Sequence, residues 1–356
     1  NACERSLARR PIAPGQSRRL RSFDPTLMEV GEETLTAGSL GGVKTSGTID
    51  DLLPVRRVVR YSSGEELTYT LRVDDAGKCW KTKDDTLGFE SRREPREIAL
   101  APAGRGSFNL LANTRIELVG RLPHGRQTRR AVYRCSTTSQ QASDLFTTDA
   151  FQSVRAIDAT SARVEVGKST GAMVTPPSED DRQPGMMVQS DDARVAAMAN
   201  EAAAGAGGPE ATSPVAMGVA LERFLHRKMK NVNFTQAFAS AAEVAVALEG
   251  DCSEHAVLLC ALARARGLPA RVAMGLVYVP EPDALAYHMW TEVWIAEKGG
   301  TGYWKPLDAT TPDGVARAVY LKVADTHLKA GMADPAFYRV ARLLGSGLKI
   351  EVIESE

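Results

Sequence analysis

The hydrophobic period of this chain changes once along its length, and that change limits the fold more than any other feature. Up to about residue 168 apolar and polar residues alternate, whereas beyond residue 213 apolar residues recur at helical spacing. Residues 65–73 (EELTYTLRV) alternate, run into Asp75-Ala76-Gly77 and lead to residues 79–83, which predicts a β-hairpin. Residues 114–120, 128–136 and 162–166 alternate in the same way. Helical spacing is scarce here, so residues 30–168 are expected to form an antiparallel β domain without a catalytic motif. His124, in Pro123-His124-Gly125, reads as turn surface.

Residues 169–190 carry Pro176-Pro177, Pro184-Gly185 and small polar residues, and are expected to be a linker. The first 21 residues hold Arg5, Arg9, Arg10, Arg18, Arg19 and Arg21 against one acid, Glu4, so residues 1–29 read as a flexible Arg-rich segment. An Ala-rich helix is predicted over 192–204. Ser213 is a good N-cap with Pro214 in the first helical position, and Val215, Val219, Glu222 and Leu225 follow at helical spacing to about Lys230. Ser240 and Glu243 form a capping-box pattern that opens another helix to Leu248, with Gly250 closing it. The second domain is thus expected over residues 191–356.

Composition acts as a filter. A length of 356 residues allows one large domain or two ordinary ones. Lys plus Arg and Asp plus Glu are 44 each, and a zero net charge argues against a chain built to coat nucleic acid or an anionic membrane. No apolar run reaches the roughly 18 residues of a membrane span; the longest are 256–263 and 272–280. Five cysteines (Cys3, Cys79, Cys135, Cys252, Cys260) are odd in number and scattered, which is no disulfide framework, although one bridge such as Cys79–Cys135 is compatible with them. The chain opens at Asn1-Ala2 without methionine, which reads as a cropped start, so a missing signal peptide says nothing of export.

The chemistry concentrates after residue 250. Gly250-Asp251-Cys252-Ser253-Glu254-His255 starts a helix in which Cys252, Ala256, Leu259, Cys260 and Ala263 make one apolar stripe, and Arg264-Ala265-Arg266-Gly267 ends it. Cys252 therefore sits in a first turn, where unpaired N–H groups and the helix dipole favour a thiolate and could hold an oxyanion. Residues 271–279 read as a buried strand. Residues 287–295 alternate, with His288, Trp290, Glu292 and Trp294 on one face. A turn at Gly299-Gly300 and Gly302 leads to residues 303–308. A hairpin centred near residue 299 pairs Asp308 with residues 289–291, beside His288. A thiol, an imidazole and a carboxylate so arranged suit nucleophilic acyl transfer: the imidazole takes the thiol proton, the carboxylate orients the ring, and the sulfur attacks a carbonyl.

Four ordered blocks, Gly250-Asp251-Cys252-Ser253-Glu254-His255-Ala256, Gly267-Leu268-Pro269-Ala270-Arg271, His288-Met289-Trp290-Thr291-Glu292-Val293 and Pro306-Leu307-Asp308-Ala309-Thr310, resemble the bacterial transglutaminase-like superfamily over about residues 213–356. The resemblance implies an α+β fold with a papain-like catalytic core, the Cys helix packed on an antiparallel sheet, beside a separate N-terminal antiparallel β domain. It implies Cys252 as nucleophile, His288 as base and Asp308 as orienting carboxylate, and a last strand over 348–352. For the side chain that completes the oxyanion site, Asn231, Asn233 and Gln236 are the candidates. The loop between Ile295 and Trp304 is longer than in many members, and no carboxylate cluster for calcium is evident.

Competing readings keep their place. Cys252 could be an inert core thiol, as Cys260 is expected to be. Cys252, His255, Cys260 and His288 could suggest zinc, but structural zinc sites use tighter paired spacing, so no metal and no cofactor are expected. His255 is expected beside or beneath the site, and His226 and His327 read as surface or boundary residues. Trp290 reads as a wall that shields the site from water. Glu292 is expected to be buried and paired with Arg271 or Arg266. The expected activity is hydrolysis of an amide, peptide or isopeptide bond in a peptide or protein substrate, with amine transfer or a non-catalytic peptide-binding scaffold as alternatives. No nucleic acid and no membrane insertion are expected. The family's habit tilts the compartment towards export to the periplasm, with the cytoplasm as alternative.

Overall fold

The computed structural model describes residues 2–24, 29–39, 41–45, 48–61, 66–85, 90–99, 114–138, 141–167, 174–205, 213–231, 238–281, 283–297, 301–311, 318–329 and 334–356. The chain divides into two compact units, Asn1–Pro102 and Ala103–Glu356.

The first unit opens with helix α1 (Ala2–Arg9) and continues as strands β1 (Ser17–Asp24), β2 (Glu29–Ala37), β3 (Gly41–Thr45), β4 (Thr48–Arg60), β5 (Glu66–Val73), β6 (Cys79–Asp84) and β7 (Glu90–Arg92). They form one antiparallel sheet in the order β1-β2-β4-β5-β6-β7, with β3 also on β4. The hairpin predicted around Asp75-Ala76-Gly77 is present as β5 and β6. The Arg-rich head is ordered, against expectation. Cys3 and Leu7 are fully buried with Leu35, Val55, Leu71 and Val73, and Arg18 donates from Nη1 to Ser6 O at 3.1 Å. The arginines of α1 and β1 point outward while a sparse apolar set points in, a pattern that charge density masks in the sequence.

The second unit holds β8 (Ile116–Val119), β9 (Ala131–Ser136), β10 (Gln152–Ala156), β11 (Ser161–Val166), helices α2 (Ala193–Gly205), α3 (Pro214–Lys228) and α4 (Ala241–Ala247), and the two-residue strands β12 (Lys230–Asn231) and β13 (Glu249–Gly250). Helix α5 (Cys252–Ala265), β14 (Ala270–Pro280), β15 (Asp283–Ala296), β16 (Gly302–Leu307), β17 (Tyr320–Thr326), α6 (Pro335–Gly345) and β18 (Lys349–Ser355) complete it. One nine-stranded sheet runs β10-β11-β9-β18-β8-β15-β14-β17, with β16 also on β15. Helix α5 lies on this sheet, where Thr291 Oγ1 donates to Ala256 O at 2.8 Å. Its Val257, Leu258, Leu259 and Leu262 are fully buried, each contributing about 1.5–3 kcal/mol by leaving water.

The seam expected at residues 169–190 is therefore displaced to residue 102. Strands β8, β9 and β11 alternate as a β domain should, but alternation says which face of a strand is buried, not which sheet it joins. They join the sheet that carries His288, through β18 on β9 and β8 on β15. The described part of the expected linker also packs on the second unit: Val188 is buried, Arg264 Nη1 donates to Gln183 O at 2.9 Å, and Trp304 Nε1 donates to Thr175 O at 3.0 Å. A Pro-rich stretch with no period of its own is held here by side chains that satisfy its carbonyls.

Candidate active site

The N-terminus of α5 is built by a doubled cap. Asp251 Oδ1 accepts from Ser253 N at 2.8 Å, and Glu254 Oε2 accepts from Asp251 N at 3.0 Å, a reciprocal arrangement that satisfies donors the helix leaves unpaired. Glu254 Oε1 also takes Ala239 N at 3.2 Å. Gly250 is dictated by this packing, because a Cβ there would lie 2.4 Å from Glu254 Cβ. Burial, then the charge of Asp251, push the Glu254 carboxyl up to about 7. The His255 ring is buried, and its Nδ1 donates to Asp251 O at 2.7 Å, which ties it to the cap.

Strand β15 brings the second group. Its edge pairs with β8 at Ala284 and Leu285 and with β16 from Thr291 onward, so residues 286–290 lie in a gap between two partners. Cys252 faces this gap, where His288 and the backbone N–H of Met289 are near enough to pull its thiol down against burial. The hairpin register is the expected one, since Thr291 pairs with Leu307 about a centre at residue 299. The ladder stops there, and Asp308 turns its carboxylate to His288, with Nε2 to Oδ2 at 2.7 Å. This leaves Nδ1 as the ring nitrogen for Cys252. Cys252 and His288 are each 6 % exposed and Asp308 2 %.

Further hydrogen bonds hold Asp308, two of them from Thr311 N and Oγ1 to its carbonyl. Tyr320 OH donates to Oδ2 at 2.6 Å. Thr310 donates to Oδ1 from both N, at 2.9 Å, and Oγ1, at 2.7 Å. Asp308 N donates to Glu222 Oε1 at 2.5 Å. Burial works against its charge, but His288 and these donors hold the carboxylate well below its usual range. Burial also works against a charged His288, yet Asp308 and Cys252 outweigh it and push the imidazole up to about 10. The thiol differs from expectation: burial is the largest influence on Cys252 and pushes it up, against the pull of His288. Each member of the Cys252–His288 pair thus favours the charged form of the other, and the two titrate together.

Trp290 stands next to His288, its ring 6.5 Å away and inclined by 19°, and meets Tyr320 edge-on at 5.4 Å. Glu292 is buried and paired. It accepts from Arg271 Nε at 2.9 Å and, unforeseen, from Lys322 Nζ at 2.7 Å, while Arg266 turns to Asn200 Oδ1 at 2.6 Å. Lys322 and Arg271 both reach Asp325 at 2.9 Å. A cavity of about 430 Å³ opens beside these groups, with Trp290, Tyr320, Tyr303, Trp304 and Lys305 in its wall.

Asn231 is exposed and its backbone pairs with Gly250, two residues before the thiol. Asn233 and Gln236 lie outside the described residues. Tyr320, Thr310, Glu222 and Lys322 were not among the expected site residues. Lys322, a cation in the apolar run of β17, Glu222, on an apolar helix stripe, and Thr310, in the block that carries Asp308, each left a signal in the sequence. His226 and His327 have partners, Ala309 O at 2.9 Å and Asp181 at 3.0 Å. The five cysteines are free thiols, so the compatible Cys79–Cys135 bridge is not formed. Among the described residues no group of three or more His, Cys, Asp or Glu is placed to hold a metal, and no helix is long and apolar enough to cross a membrane.

No curated protein matches this sequence. Among solved structures, a candidate cysteine protease from Cytophaga hutchinsonii is 16 % identical with a TM-score of 0.37, over 62 % of this chain and 84 % of that one. The periplasmic domain of TgpA from Pseudomonas aeruginosa is 19 % identical with a TM-score of 0.33, over 54 % of this chain and 75 % of that one. The family model of the transglutaminase-like superfamily matches residues 201–309, which span Cys252, His288 and Asp308.

Proposed function

We propose that the second unit catalyses cysteine-dependent acyl transfer on amide or peptide bonds, with water as the acceptor. The observation that carries this reading is the His288 Nε2–Asp308 Oδ2 hydrogen bond, with Cys252 in the first turn of a capped helix near enough for His288 to act on its thiol. His288 takes the Cys252 proton through Nδ1, and the imidazolium is stabilised by Asp308 on Nε2. The thiolate adds to the carbonyl carbon, and the oxyanion is held by N–H groups at the start of α5. His288 returns the proton to the departing amine, leaving a thioester. Water, deprotonated by His288, then cleaves the thioester, which releases the acid and restores the thiol.

Water rather than an amine is chosen on the habit of bacterial members of the family. Mass spectrometry of a peptide library incubated with and without a primary amine tests both steps. New carboxyl termini or deamidated glutamines in the first arm support the hydrolase. Amine adducts without hydrolysis assign transfer instead, and an unchanged library in both arms assigns a peptide-binding scaffold. Export is the proposed compartment on the same habit, and fractionation of the producing cell checks it.

A further inference from the structure

Glu222 lies in the middle of α3, and only 1 % of it is exposed. A buried carboxyl costs free energy unless something compensates it, and among the described contacts its partner is one backbone group, Asp308 N, at 2.5 Å. One turn further along the same helix, His226 Nδ1 meets Ala309 O at 2.9 Å. A carbonyl only accepts, so the ring nitrogen donates. One turn earlier stands Gly218, where a Cβ would come within 3.1 Å of Leu307 Cδ1. Residues 218, 222 and 226 follow i, i+4, i+8 along one side of the helix. They face three consecutive residues, 307, 308 and 309: the glycine allows close approach, the glutamate takes the N–H of Asp308, and the histidine gives a proton to the next carbonyl.

We infer that Glu222 and His226 form a two-point clip on α3 that sets the Asp308 carboxylate against His288, with Glu222 as the principal positioning residue. Strand β16 ends at Leu307, so nothing in the sheet ladder fixes the peptide that carries Asp308, and the clip supplies what the ladder leaves off. The contacts of Glu222 also have a chemical side. Burial, and beyond it the charge of Asp308, push its carboxyl up to about 8, against the pull of the Asp308 N–H, Lys305 and Arg223. Tyr320 faces the same anions from β17. At neutral pH Glu222 is therefore largely a neutral acid whose carbonyl oxygen accepts the N–H. At higher pH it ionises and adds a second negative charge behind Asp308, which holds the proton on His288 more firmly.

This inference rests on the proposed roles of Cys252, His288 and Asp308, and the test separates the two. Iodoacetamide labelling of Cys252 and Cys260 is followed by mass spectrometry from pH 5 to pH 10, alongside NMR titration of the His288 ring, in the parent, Glu222→Gln, Glu222→Ala and His226→Ala. In Glu222→Ala, labelling of Cys252 at pH 7 is expected to fall on the order of tenfold, as misplaced catalytic groups do, with Cys260 unchanged. Glu222→Gln keeps an acceptor for Asp308 N and should restore the parent rate. It cannot ionise, so His288 should lose its proton at lower pH than in the parent. A parent rate in Glu222→Ala with an unmoved His288 titration in Glu222→Gln overturns the clip. Should Glu222→Ala fail to fold, Glu222→Gln and His226→Ala decide, and parent-like titration and labelling in both overturn it. A parent in which Cys252 labels no faster than Cys260 overturns the underlying triad before any variant is considered.

Discussion

Cys252 and Cys260 stand eight residues apart on one helix, both are buried, and burial pushes both thiols up. Their surroundings separate them. Cys252 is in the first turn, beside an imidazole that carries a proton and a strand edge that offers the Met289 N–H. Cys260 is in the middle of the helix, where the backbone N–H groups are used within the helix, and its charged neighbours are Arg264 and Asp181. Arg264 Nε and Nη1 donate to Ala270 O and Gln183 O, and a guanidinium does not give up its proton. Burial alone therefore does not distinguish a reactive thiol from a structural one. What distinguishes them is a neighbour able to exchange a proton.

The largest test of this contrast is deletion of each sulfur. Cys252→Ala should lower turnover of any substrate found by about three orders of magnitude or more, while Cys260→Ala should leave turnover intact and cost about 1 kcal/mol of stability. Equal losses in a turnover assay would break the comparison. Next, His288→Ala should slow iodoacetamide labelling of Cys252 at pH 7 about a hundredfold, in the range of general-base effects, and leave the Cys260 rate unchanged.

The same variant carries a pH signature. His288 is raised from 6.5 in the unfolded chain to about 10 in the fold, so its contribution to stability is complete below 6.5 and is lost as pH rises towards 10. Asp308 is shifted the other way, so its contribution holds above the ordinary carboxylate range and disappears as the solution becomes more acidic. The difference in Tm between the parent and His288→Ala should accordingly shrink from pH 6.5 to pH 10, and a constant difference would contradict the assigned charge state.

Glu292 and Trp290 alternate with Thr291, whose hydroxyl faces α5, so Glu292 lies on the other face of β15. Glu292→Gln should weaken two charged hydrogen bonds and cost about 2 kcal/mol in denaturant unfolding, without changing the ratio of Cys252 to Cys260 labelling. If both stability and activity stay at parent values, the support role of Glu292 is wrong. The smallest effect expected is that of Tyr320→Phe, which removes one of the donors on Asp308 and should reduce the Cys252 labelling rate about fivefold, the worth of about one hydrogen bond.

The legible part of the site was the part encoded locally. The cap at Asp251, the helix stripe and a hairpin centred at residue 299 follow from periods of 3.6 and 2, and the hairpin brings Asp308 beside His288, whereas Cys252 joined them through the family resemblance. Glu222 fell on the apolar stripe of its helix and His226 read as surface, but their roles were illegible because their partners are 86 and 83 residues away. Tyr320 was hidden for the same reason, in a strand whose place beside β14 depends on pairing rather than on pattern. The division of the chain was misplaced because strands β8, β9 and β11 carry the same alternation as the strands of the first unit.

The position of β18 gives the second unit a schedule. It follows every other described strand in sequence, yet it lies inside the sheet, parallel to β8 on one side and antiparallel to β9 on the other. Strands β8, β9, β10, β11, β14 and β15 all precede residues 349–355, so until β18 is in place the sheet stays in two unsealed pieces with bare edges. Edges of that kind are where nascent chains pair with the wrong partner. The sheet that carries His288 is thus closed by β18 alone, and a chain cut before residue 349 keeps every proposed catalytic residue on an open sheet.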